Sequence, residues 1–261
     1  MPEINLPRLQ SVLPDLAAFG LGLVCANLLG WNTTALVWSL WLSSFVIGYL
    51  TIVSMIGGGV FIGSIMLLNP QFPAGLRPGA LIVGALVVLF LLGFFSLHFC
   101  GFHSVHAIFL IGLFPLDGVS RQAFNPTFMN PVALWRTALT VLVPRYGIFL
   151  IPIVIAERRA LFGWIGAAMK DRHRLASSDG IADLVRQSAG SMKGGLMRPY
   201  LNVIRMHLLI FFFAICHGLK VDSMPVYIVT YAVYFFPWSA FKSTRVPQPV
   251  PLPGANRLPS R

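Results

Sequence analysis

The chain has 261 residues, of which 56% are hydrophobic and 10% charged, with a mean hydropathy of +0.77. This is more apolar surface than a soluble domain of such length can bury, so the missing apolar phase is a lipid bilayer. The formal net charge of +11 comes from basic residues that gather in loops and tails, which argues against nucleic acid and for a membrane surface with anionic lipid.

The opening MPEINLPRLQ carries Glu3 and lacks a basic leader region, so the first apolar segment is expected to stay in the mature protein. That first span reads from about Val12 to Trp31, with Asp15 near one end and Trp31 as an interfacial anchor. After a short Asn-Thr-Thr turn, a second span follows from about Ala35 to Ile56, giving an antiparallel hairpin. Gly57, Gly58 and Gly59 are expected to end this helix, and the stretch to Asn69 to be interfacial or re-entrant.

From Ala80 to Pro115 the 36 residues include no charged side chain. As one helix they would measure about 54 Å against a hydrocarbon core of about 30 Å, so the third span is expected to bend, tilt or protrude, with Gly93, Gly101 and Gly112 as weak points. The fourth span, about residues 132–156, is interrupted by Arg136, Pro144, Arg145 and Pro152. A polar basic loop, 157–199, follows and includes a short helix expected to lie on the membrane. Two more spans, about Tyr200 to Leu219 and Met224 to Lys242, precede a Pro-rich tail, 243–261, that is expected to be disordered.

The fold class is therefore all-α: a single transmembrane helical bundle of about six spans over residues 1–242. With the N-terminus inside, the cytoplasmic side receives Arg8, Arg77, eight Lys and Arg residues between Arg158 and Arg198, and Lys242, Arg245, Arg257 and Arg261. The opposite side receives Arg121 and Lys220. This asymmetry predicts an N-in, C-in multi-pass protein of the cell inner membrane. The three cysteines, Cys25, Cys100 and Cys216, all fall inside apolar windows and form no disulfide framework.

The residue types that carry chemistry gather in SLHFCGFHSVHAIF, which holds His98, His103 and His106. At about 100° per residue these three share one broad side of a helix. His207 and His217 on the fifth span are the natural complement, and His217 approaches the same depth in this topology. Imidazoles in an apolar segment either hydrogen-bond between helices or hold a metal, heme or quinone. A metal site built from His98, His106 and His217 is the sharper of the two readings, with Asp117 placed to orient a histidine from the outer side.

The eight acidic residues lie in termini, loops or span ends. This argues against a carboxylate-bridged metal pair and against a midplane proton relay. No catalytic motif is recognised: there is no nucleophile elbow, Walker loop or dinucleotide fingerprint. No convincing internal repeat supports a transporter, which remains the third reading.

Two stretches resemble domain-of-unknown-function family 6498, uncharacterised polytopic membrane proteins of bacteria and archaea. One is FFSLHFCGFHSVHAIFL, with His98 and His106 eight apart, and the other is MRPYLNVIRMHLLIFFF, with Pro199, Tyr200, Arg205 and His207. The resemblance implies helical membrane architecture and points to His98, His106, Tyr200, Arg205 and His207, but implies no activity. The family's second span usually carries a Glu after its aromatic-rich start, whereas this chain reads VWSLWLSSF without an acid. The leading functional expectation is a subunit or accessory component of a membrane complex, whose partner is another membrane protein. The alternative is a redox protein with a histidine-held cofactor.

Overall fold

A computed structural model describes residues 6–30, 32–170, 204, 208, 209, 211–216, 218, 219 and 221. Among these residues there is no strand. The expected sixth span, most of the fifth, the basic loop beyond residue 170 and the Pro-rich tail lie outside them, as do Tyr200, Arg205, His207 and His217. Three helical stretches, Thr33–Leu68, Ala74–Leu113 and Pro131–Arg158, are long and apolar enough to cross a membrane.

Helix α1 spans Leu6–Leu28 and ends at Gly30, whose φ of 58° lies in the left-handed region open to glycine. Helix α2, Thr33–Leu68, starts under Asn32, whose Oδ1 accepts the Ala35 N–H at 2.9 Å. It runs without a break through Gly57, Gly58 and Gly59, against the expectation that these end it. The flanking Ser54 and Ser64 donate to the carbonyls of Leu161 and Val60 and do not meet the N–H groups of an opened backbone. A continuous helix meets its own N–H and C=O groups, which an apolar surrounding demands.

Helix α3 spans Arg77–Leu113. Its 37 residues rise about 55 Å, and neither Gly93, Gly101 nor Gly112 interrupts it. The excess length is met by an unbroken helix that outruns its packing partners. The turn before it is closed by Arg77, which donates to the carbonyls of Asn69 (3.2 Å) and Phe72 (3.5 Å).

α2 and α3 are antiparallel, and their contacts form a ladder. Trp38 Nε1 donates to the Phe114 carbonyl (2.9 Å) and Trp41 Nε1 to the His103 carbonyl (3.2 Å). Further along, Phe45 stacks on Phe99 with ring centroids 6.4 Å apart, and the Tyr49 hydroxyl meets Ser96 Oγ at 2.9 Å. Burial follows the ladder. Nearly all the buried residues of α2 lie between Leu36 and Ile52, and those of α3 begin at Phe95. Leu81, Ile82, Val83, Leu86, Leu89 and Phe90 face outward, so the first half of α3 is apolar on every side.

After α3 the chain turns back along the bundle. Phe124 stacks on Trp38 (5.2 Å), and Ser104 Oγ donates to the Thr127 carbonyl (2.7 Å). Met129 lies against Gly101, where an added Cβ would stand 3.1 Å from its Sδ. Gly101 precedes the last residue of α3 by twelve positions (113 − 101), about 18 Å of helical rise. Helix α4, Pro131–Thr137, begins there under an Asn130 cap and sets Trp135 against Phe45 (4.6 Å) and Tyr49 (5.2 Å).

Ten residues later Arg145 donates to the carbonyl of Asp117 at 3.0 Å, four positions past the end of α3. Residues 118–146 thus leave the end of α3, reach the middle of the core and return to the end they left.

Proline chemistry shapes this return. Pro144 has no N–H, and its ring collides with the carbonyl four residues earlier in a regular helix. The chain widens into a π-helical turn over Ala138–Leu142 before the short helix α5, Val143–Tyr146. A single 3-10 turn, Gly147–Phe149, then redirects it into α6, Leu150–Lys170. α6 packs on α1 and α2: Arg158 pairs with Asp15 at 2.5 Å, and Ser54 Oγ donates to the Leu161 carbonyl.

Candidate functional site

The three histidines of α3 have different surroundings. His103 is fully buried in an aromatic cage, with ring centroids 4.3 Å from Phe99, 5.4 Å from Phe45 and 5.7 Å from Trp41. Its Nδ1 lies 3.0 Å from the Phe99 carbonyl, an acceptor only, so Nδ1 carries the proton in this bond. Nε2 is then the acceptor for the Ser44 hydroxyl of α2, at 3.4 Å. In this tautomer the ring bridges two helices.

His106 is 6% exposed, with its ring 6.1 Å from that of His103 in a T-shaped arrangement. His98 is exposed; its ring lies flat on Phe94 (5.3 Å, 14°) and meets Phe102 edge-on (4.9 Å, 88°).

His98 and His106 line one cavity of about 520 Å³, and His103 does not. The α3 wall consists of His98, Gly101, Phe102, Val105, His106 and Phe109. These recur at the three- and four-residue spacing that puts them on one face. Opposite stand Phe128 and Met129, the innermost part of the returning segment, and Phe211 from the 211–216 helical stretch. Met129 has a φ of 52°, so the backbone at this tip bends sharply where it meets Gly101.

Among the described residues of the lining, the two imidazoles are the ionisable side chains. Among the described residues no three His, Cys, Asp or Glu side chains are grouped to hold a metal ion. The ring of His98 stacks toward the N-terminal turn, away from His106, which lies eight residues or about 12 Å further along the axis. His217, named with them as a metal ligand, lies outside the described residues, and so do His207, Tyr200 and Arg205. Asp117 sits past the end of α3, where its carbonyl is tied to Arg145.

Sequence reasoning found the histidines but not the wall opposite them. Phe128 and Met129 lie in a loop without helical periodicity. The signal that was available is the cluster Asn125-Pro126 and Asn130-Pro131, which brackets the tip with turn and capping residues.

A family model described as a family of unknown function, DUF6498, matches residues 16–171, well over half of the chain. The match runs from within α1 to the end of α6 and includes the whole of the α3 cluster and the returning segment. No curated protein and no solved structure matches the chain.

Proposed function

This chain belongs to the DUF6498 family, and we propose that it is a multi-pass component of the cell inner membrane, an accessory subunit of a membrane assembly. The observation that carries this reading is the outward apolar surface of α2 and α3. Both helices continue beyond their shared core, and Leu81, Ile82, Leu86 and Phe90 point away from every described element. Lipid and the apolar helices of a partner are the surroundings that such a surface fits.

In this reading six spans place both termini in the cytoplasm, and the basic segment after α6 faces anionic lipid. The fourth crossing, expected at about residues 132–156, is completed in this reading by α6. Residues 118–146 enter from the non-cytoplasmic side and return to it. Phe124, Thr127, Leu134 and Ala138 fix that backbone in the core, while the tip residues Phe128 and Met129 are exposed.

Cysteine accessibility in intact cells tests this arrangement. In a chain freed of Cys25, Cys100 and Cys216, Arg121→Cys and Arg145→Cys should both react with a membrane-impermeant maleimide from outside. Arg174→Cys and Arg257→Cys should react only after permeabilisation. Labelling of Arg145→Cys from the cytoplasm alone sinks the proposed path.

A second reading, a protein holding a cofactor through histidine, is favoured by one observation: His98 and His106 share the wall of an apolar cavity. Elemental analysis and a visible spectrum of the purified protein, compared with a His98→Leu/His106→Leu variant, test it.

A further inference from the structure

We propose that the cavity between α3 and the Phe128–Met129 tip binds the head of a lipid-soluble quinone, with His98 and His106 meeting its oxygens. The inference rests on the second reading above and names its ligand class. A volume of about 520 Å³ falls within the range of small-molecule sites, roughly 300–1,000 Å³. The cavity opens on a helix face whose Phe102, Val105 and Phe109 are exposed, so a ligand dissolved in the bilayer reaches it without crossing water.

The lining selects for a flat ring over an acyl chain. Four of the nine described residues that line it are phenylalanines, and His98 already stacks on Phe94, so ring faces and edges are what these residues present. Gly101 lets the floor come close to α3, and Met129 is an adaptable wall against it.

The two polar side chains select for oxygens that change hydrogen-bonding sense. A neutral imidazole has one N–H donor and one bare nitrogen. It donates to the carbonyl of a quinone and accepts from the hydroxyl of a quinol, so both forms are served without a change of charge in the protein. Their separation of about 12 Å along the axis places one imidazole toward each end of the cavity, as a ring with oxygens at opposite ends requires. A single metal ion would instead draw both rings onto one point.

Photolabelling of the full chain in phospholipid nanodiscs with an azido-quinone tests the proposal, with decylubiquinone and oleate as competitors. Saturable label within residues 98–109 or 128–129, displaced by decylubiquinone and not by oleate, is the expected result. The His98→Leu/His106→Leu variant should bind about tenfold or more weakly, the loss that follows from about 1.4 kcal/mol of hydrogen bonding. Val105→Trp fills the cavity from its exposed rim and should abolish labelling with the fold intact, which covers the case in which the double histidine variant does not fold.

Equal displacement by oleate overturns the proposal in favour of an acyl-chain groove, and label spread evenly over the chain overturns it in favour of partition. A stoichiometric metal or Soret band lost in the double variant, without quinone label, overturns the quinone but keeps the cofactor reading. A colourless, metal-free and unlabelled protein overturns both.

Discussion

Gly48 of α2 lies directly beneath the ring of Phe99 on α3: a Cβ added at Gly48 would stand 2.4 Å from Phe99 Cζ. Phe99 is also the residue whose carbonyl receives His103 Nδ1, so a tight contact between the two long helices and the hydrogen bond of the buried histidine meet at one residue. Gly48→Ala should force the ring to move and destabilise the bundle by about 1–3 kcal/mol, the usual cost of overpacking. In Phe99→Leu the space is freed, so the double variant should lose less than the sum of the two single losses. Thermal unfolding in detergent measures all three, and strict additivity would dismiss the contact.

The histidines should separate by what their loss does. His103→Leu removes the acceptor of the Ser44 hydroxyl and leaves the Phe99 carbonyl without that donor inside the cage, at a cost of about 1–3 kcal/mol. His98→Leu acts at an exposed ring on the cavity wall and should leave stability within about 0.5 kcal/mol. Matching losses of melting temperature in the two variants would contradict this division of roles.

How much of this was legible in the sequence depends on periodicity. The apolar runs that became α2 and α3 announce themselves, because a helix is the economical way to satisfy backbone in an apolar phase. The helical wheel likewise put His98, His103 and His106 on one side. It could not tell that His103 turns into the α2 interface while His98 and His106 face a cavity, because that depends on where Ser44, Phe45 and Trp41 stand on another helix. Gly57, Gly58 and Gly59 misled for a related reason: glycine's cost in a helix, about 1 kcal/mol per residue, was measured in water, where opened backbone finds other partners. The return of residues 118–146 was hidden because its evidence is pairwise, in Ser104 with Thr127 and Arg145 with Asp117, and no local pattern encodes such pairs.

Asp15 and Arg158 join α1 and α6 at 2.5 Å, with 20% and 28% of their side chains exposed. A pair so placed lies within the crossing made by α6, away from bulk water, and a coupling above that of an exposed pair, about 0.2–1 kcal/mol, is expected. A double-mutant cycle with Asp15→Asn and Arg158→Gln should recover it. The exchange Asp15→Arg/Arg158→Asp should restore part of what either single reversal loses. It should fall short of the native chain, because Arg158 also donates to the Ile155 carbonyl at 2.6 Å.

The tip of the returning segment is held by Ser104, whose hydroxyl donates to the Thr127 carbonyl inside the core. Ser104→Ala removes one of two donors to that carbonyl, which keeps the Asn130 N–H at 3.1 Å, at a cost of about 0.5–1.5 kcal/mol. The cost should fall on local opening more than on the bundle, because Thr127 lies in the 3-10 segment Arg121–Thr127, outside the long helices. A reporter cysteine at the buried Thr127, in a chain without its native cysteines, reads the opening directly. Thr127→Cys should react slowly with a methanethiosulfonate, and adding Ser104→Ala should speed the reaction by about two- to tenfold, the Boltzmann equivalent of that cost. The melting temperature should fall by less than the same energy would produce if the whole bundle carried it. An unchanged labelling rate together with a full loss of melting temperature would place Ser104 in the global core and remove the tip as a separately opening unit.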